Sequence, residues 1–258
     1  MPQHRHTSRF ASPGGRIQFF TAGFTLIEIL VVIAVIAVLM GIAIPTLWGA
    51  RRSAVITVTL ANQRQADQVL RLYLQDHNEL YPNWGEPGTF AAELNWDEQD
   101  QFITDRWWDQ SVYWGLYLHM LGYEGWTSLG PASADGSYEQ AVREADCVGC
   151  DLMSWHVITN TAYAAPPFWD EAIPPDKQYH KALRSTSIAY PSNKGILILR
   201  RGVMGQSRSL DQDMIHFGDG HGETLLRSDL TPGVIRGVMN SNGYPVHNTP
   251  NGFLGRDR

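Results

Sequence analysis

The apolar and polar positions divide the first third of the chain into two kinds of helix. From Ile29 to Ile44 every residue is apolar or glycine. With Phe24 to Ile27 the run reaches about 20 residues, enough to cross the hydrocarbon core of a bilayer as one helix. Pro45 would break a soluble helix, but spanning helices tolerate proline. Beyond it the pattern becomes periodic. Ala66, Val69, Leu70, Tyr73 and Leu74 fall at i, i+3, i+4, i+7 and i+8, one apolar stripe. Gln63, Arg64, Gln65, Asp67, Gln68 and Arg71 are expected on the other faces. The pattern predicts one helix from Phe24 to about His77, stopped by Asn78 to Pro82, because the residue before a proline is biased away from helix. Trp48, followed by Arg51 and Arg52, suits a membrane–water interface.

Residues 83–183 hold eight of the nine tryptophans. Val112 to Leu121 reads as a short buried helix, and Pro166, Pro167, Pro174 and Pro175 mark an irregular connection. Aromatic residues at this density serve core and loop packing, or form a carbohydrate-binding face. The last part reads as β-structure. Ser185 to Tyr190 alternates weakly and Gly195 to Leu199 is a short apolar run. Met214 to Phe217 and Thr224 to Arg227 flank the glycine-rich turn Gly218–Gly222. The expected fold class is α+β: a long N-terminal helix, transmembrane and then amphipathic, packed on a small antiparallel sheet, with an irregular aromatic-rich insert. The expected segments are a leader at 1–23, a spanning helix at 24–47, its amphipathic outer half at 48–82, the aromatic insert at 83–183 and the sheet region at 184–258.

Charge adds a direction. The net charge is −6. Residues 1–23 carry Arg5, Arg9 and Arg16 and no acid, which leaves 17 of the 20 basic and all 26 acidic residues, or −9, in the remainder. Basic residues flanking a span tend to stay on the cytoplasmic side, so the acidic body is expected outside the cytoplasm. A sequence pI near 5.8 argues against a nucleic-acid partner.

A secretory signal peptide has its cleavage site after the apolar region. Here the candidate site, Gly23, comes before it, so cleavage would keep the hydrophobic helix. It would free the amine of Phe24 and make Glu28 the fifth residue of the mature chain. A carboxylate at the edge of an apolar span is costly and hence a functional candidate, though a snorkelling interfacial acid is the plainer alternative. The terminal ammonium of one subunit could neutralise Glu28 of the next during assembly.

The stretch Gly23-Phe24-Thr25-Leu26-Ile27-Glu28 before an apolar helix resembles the processing signal of type IV pilins and type II secretion pseudopilins. Pro45 also falls where that family often has a helix-bending proline. The resemblance implies cleavage between Gly23 and Phe24 by a prepilin peptidase, N-methylation of Phe24, and Glu28 as the acid used in assembly. It further implies other pilin or pseudopilin subunits, an inner-membrane assembly platform and membrane lipid as partners. The chain would be single-pass in the inner membrane, with its head in the periplasm or cell exterior. The turn Phe217-Gly218-Asp219-Gly220-His221 partly resembles the Asp-Gly-His end of one pilin-like family, whose histidine ten positions before the Asp-Gly pair is here Ser209.

Three other features invite chemistry. Cys147 and Cys150, the two cysteines, would form a local disulfide in an oxidising compartment; a metal or redox role is the alternative. Asp211, Asp213 and Asp219, with Glu223, place oxygen ligands around the C-terminal turn that could hold calcium, without EF-hand spacing. Major pseudopilins are known for a calcium site in this region, and the resemblance extends to that possibility. His216 and His221 are candidate ligands or ordinary hydrogen-bonding histidines. No nucleophile elbow, phosphate loop or His-Glu-x-x-His motif is present, so no enzyme is expected. Two functions remain: a filament subunit, or a membrane-anchored carbohydrate-binding or hydrolytic domain on a pilin-type anchor.

Overall fold

The computed structural model describes residues 24–84, 92–95, 101–104, 107–123, 154, 156–199, 212–236 and 243–258. The chain divides into two compact units, Met1–Ala50 and Arg51–Arg258.

Helix α1 runs from Leu26 to Asp76 and contributes to both units. In the first unit every described residue is exposed. The helix continues through Pro45. Just after it, the Thr46 hydroxyl donates to the carbonyl of Ala43 at 2.8 Å, the kind of side-chain support that keeps a proline-containing span helical. Among the described residues α1 is the one helix long and apolar enough to cross a membrane.

In the second unit the outer turns of α1 bury Ala66, Leu70, Tyr73 and Leu74. The apolar stripe faces the core as the periodicity requires. The prediction for the polar positions needs correction. Gln63 is fully buried and Asp67 nearly so. Gln63, Asp67 and Arg71 are spaced i, i+4 and i+8, so they form a second stripe beside the apolar one.

The sheet is antiparallel, in the order β3-β4-β5-β6. Its strands are β3 (His156–Ile158), β4 (Gly195–Leu199), β5 (Gln212–Phe217) and β6 (Gly222–Leu226). Two short strands, β1 (Ala92–Asn95) and β2 (Gln101–Thr104), pair separately. Ile158 and Leu197 lie opposite each other and join the cluster containing Ala66 and Leu70. Val157, Ile198, Ile215 and Phe217 form a second cluster with Leu230 and Val246. A register shift between Gly195 and Leu197 accompanies the entry of consecutive Ile196 and Leu197 into the α1 cluster.

The predicted short helix is α2, Asp109–Met120, with Tyr113, Trp114, Leu116 and Leu118 buried. Trp107, Trp114 and Trp169 are buried, and Trp107 packs edge-on against Phe168 and Trp169. These three tryptophans are core packing and do not form an exposed carbohydrate platform. Two expectations fail. Ser185 to Tyr190 is not a strand: Ser185–Ser187 is a 3-10 turn. Leu80 bridges Arg184 just before it, and the chain must turn where that pairing ends. Strand β3 also lies inside the stretch expected to be irregular, since three residues are too few to show a period.

Candidate functional site

The start of α1 carries the sequence-predicted residues. Gly23 lies outside the described residues; Phe24 is exposed. Thr25 caps the helix. Its backbone N–H and its hydroxyl each donate to Glu28 Oε2 at 2.8 Å, and the Glu28 N–H points back to the Thr25 hydroxyl at 3.3 Å. This is a capping box, in which the orphan N–H groups of a helix start are satisfied reciprocally. Thr25 and Glu28, three apart before an apolar run, carry that signature in the sequence; a reading that treats Glu28 only as an unpaired charge misses it. Both hydrogen bonds to the Glu28 carboxylate engage Oε2, which leaves Oε1 as an acceptor for an incoming cation. The same carboxylate can therefore cap its own helix and meet a charge from outside.

The C-terminal turn is held by its own side chains. Gly220 has φ +97°, a conformation that favours glycine. Asp219 Oδ1 accepts from the His221 N–H at 3.2 Å and lies 2.6 Å from His221 Nδ1. The His221 ring stacks on Phe217. Arg71 donates to the Gly218 carbonyl at 3.1 Å and to Asp67 at 2.6 Å, and His216 Nε2 sits 3.0 Å from Asp67 Oδ2. Gln63 Nε2 donates to the carbonyls of Leu197 and Met214 at 2.9 and 3.2 Å. The polar stripe of α1 thus fixes the helix against β4, β5 and the turn.

The structure does not bring the candidate calcium ligands together. Asp211 lies outside the described residues. Asp213 is near the start of β5 and Asp219 is beyond its other end. The buried Asp213 carboxylate is taken by Arg227 at 3.1 Å and by the Tyr244 hydroxyl at 2.6 Å. Among the described residues no three His, Cys, Asp or Glu side chains are grouped to hold a metal. Cys147 and Cys150 also fall outside the described residues.

Sequence reasoning missed a buried ion pair. Lys194 Nζ is 3.1 Å from Asp257 Oδ2, with both side chains fully inaccessible. Burial pushes the Lys194 ammonium down and the Asp257 carboxyl up, against their mutual attraction. The network is closed: Lys194 also donates to Val246 O and Thr249, and Asp257 accepts from the Gly195 N–H. It ties the C-terminal residues to the head of β4. Two residues 63 apart with no local pattern leave no sequence signal.

The model for the prokaryotic N-terminal methylation motif matches residues 21–44. In this region the chain resembles type IV pilins, and the helix that carries the motif is long and apolar enough to cross a membrane. Among curated proteins it is similar to the type IV wide pilus major component PilA4 of Thermus thermophilus, with 44% identity over 61 residues. That alignment covers 24% of this chain and 47% of the relative, so the chain matches about half the relative's length. No solved structure matches.

Proposed function

We propose that this chain is a prepilin or pseudopilin: a structural subunit that is cleaved after Gly23, N-methylated on Phe24 and assembled into a type IV pilus-like or type II secretion filament. One observation carries this reading. A methylation motif at residues 21–44 spans the start of a helix whose first 25 residues, all exposed, include Glu28 in a capping box with one oxygen unengaged. An apolar surface on every side of a helix suits lipid before assembly and neighbouring helices after it. Repetition of one heterologous contact that does not close generates a filament. In such a contact the Phe24 ammonium of one subunit meets Glu28 of its neighbour, and pairing offsets the cost of both charges in lipid.

The partners on this reading are a prepilin peptidase and methyltransferase, other pilin subunits, an inner-membrane platform and lipid. The chain is single-pass in the inner membrane with its head outside the cytoplasm, and it has a structural rather than enzymatic role. Glu28→Ala in the producing cell tests it. The expected result is loss of the subunit from sheared filaments while the membrane pool of processed, folded protein persists. Normal incorporation of Glu28→Ala would overturn the assembly role.

A further inference from the structure

Where α1 ends, the second unit holds a cavity of about 250 Å³. Its polar wall is made by Asp67, Arg71, Glu79, Tyr81 and Ser185, and its apolar wall by Leu70, Leu74 and Ile196. Three observations mark it as more than a packing defect. First, Tyr81 is 2% exposed, its ring packs edge-on against Phe253, and it lines the cavity. Asp67, Arg71 and Glu79 line the same cavity. A tyrosine in a cavity wall offers an apolar ring and a polar oxygen, which makes it a candidate ligand contact. Second, Asn78 and Glu79 both adopt left-handed backbone, with φ 55° and 62°. That conformation is costly for a residue with a side chain and is a recognised mark of functional positions. It is held by Glu79 N–H to Leu74 O at 2.7 Å and Ser185 N–H to Glu79 O at 2.8 Å. Third, the charges in the wall do not cancel. Arg71 is bonded to Asp67 and to the Gly218 carbonyl, and Asp67 also meets His216. Among the described residues Glu79 is met by the neutral hydroxyl of Ser185 and by no cationic side chain within an ion-pair distance.

We propose that this cavity binds an alkylammonium group. Its ammonium would be held by the Glu79 carboxylate and the Tyr81 oxygen. Its short alkyl stem would lie on Leu70, Leu74 and Ile196. An anion is disfavoured because the one guanidinium present is already engaged and the remaining charge is negative. A lysine side chain has the required shape, a compact ammonium on a flexible apolar stem, and a free small amine has the same chemistry. The site is separate from the N-terminal processing segment and does not rest on the filament reading.

The test is calorimetric titration of the full-length chain in detergent micelles with n-butylammonium, using 1-butanol as the neutral control. Wild type should bind the cation saturably and the alcohol not at all. Glu79→Gln keeps an acceptor for Ser185 and should weaken binding at least about tenfold, a loss expected when a charge-assisted hydrogen bond is replaced by a neutral one. Tyr81→Phe keeps the ring packing and should weaken it severalfold. Absence of saturable binding to folded wild type, or equal affinity in Glu79→Gln, overturns the proposal. Carbodiimide, which joins a carboxylate directly to an amine, then assigns the source. A Glu79 cross-link to Lys177 or Lys181 of a second copy assigns the ammonium to a neighbouring subunit. With binding intact and no such cross-link, the ligand is a free amine.

Discussion

The two halves of α1 are built on opposite plans. Through the first 25 residues, from Leu26 to Ala50, the side chains are exposed and, apart from Glu28 and Thr46, apolar. On the proposed reading this surface meets lipid and the helices of other subunits. From Thr59 onward the same helix buries an apolar stripe, and beside it a polar one in which Gln63, Asp67 and Arg71 each bond to a specific carbonyl or side chain. Non-directional burial suffices where the surroundings are fluid and must change on assembly. Directional bonds appear where one register must be held, a use for which buried polar groups are well attested. Glu28, held in its capping box, is the charged exception in the first half, and the proposed filament contact is assigned to it.

The largest effects separate the halves completely. A bulky residue at the processing site, Gly23→Val, should leave the leader on essentially all of the protein, read as a mass difference at the N-terminus, with no change in the thermal unfolding of the second unit. The reverse change, Asp257→Ala, should leave processing intact and destabilise the second unit by about 3–5 kcal/mol, because it strands the buried Lys194 ammonium. Chemical denaturation in micelles measures this.

Next comes pH. His156 is held down to about 4 by burial and by the nearby His216. His247 is held down to about 3 by burial and by Lys194, and its Nδ1 accepts from the Asn160 N–H, which fixes the neutral form. Both lie below the ordinary histidine value, so the unfolded chain takes up protons that the folded one refuses. Stability should be full above about pH 6.5 and fall towards pH 4, by up to about 1.4 kcal/mol per pH unit for each histidine. Neither ring nitrogen of His156 has a hydrogen-bond partner among the described residues. His156→Leu should therefore reduce that slope by about one proton while costing little at pH 7. A slope unchanged in His156→Leu would exclude this residue as a source. The smallest effect is at the polar stripe: Gln63→Ala should cost about 1–3 kcal/mol by leaving two sheet carbonyls with one partner fewer.

The parts legible in the sequence are those with a local period or motif. The uninterrupted run at Ile29–Ile44, the i, i+3, i+4 spacing around Leu70, the apolar GILIL strand and the glycine-rich turn all reappear as expected. The head was less legible because its decisive contacts join residues far apart. Gln63 reaches Leu197 and Met214, and Lys194 reaches Asp257; nothing in the local composition marks a glutamine or a lysine as buried. Ser185–Ser187 misled because three polar residues alternate weakly whether they are extended or coiled into a 3-10 turn. At the N-terminus, Glu28 stood out as a charge, and its capping role follows once Thr25 is read with it.

Peptide mass spectrometry of the N-terminus, on protein extracted from the membrane of its producing cell, tests the pilin reading most directly. A mature chain that begins at Phe24 and carries one added methyl group is the expected result. A chain that keeps residues 1–23, or one cut after the apolar segment, would contradict it.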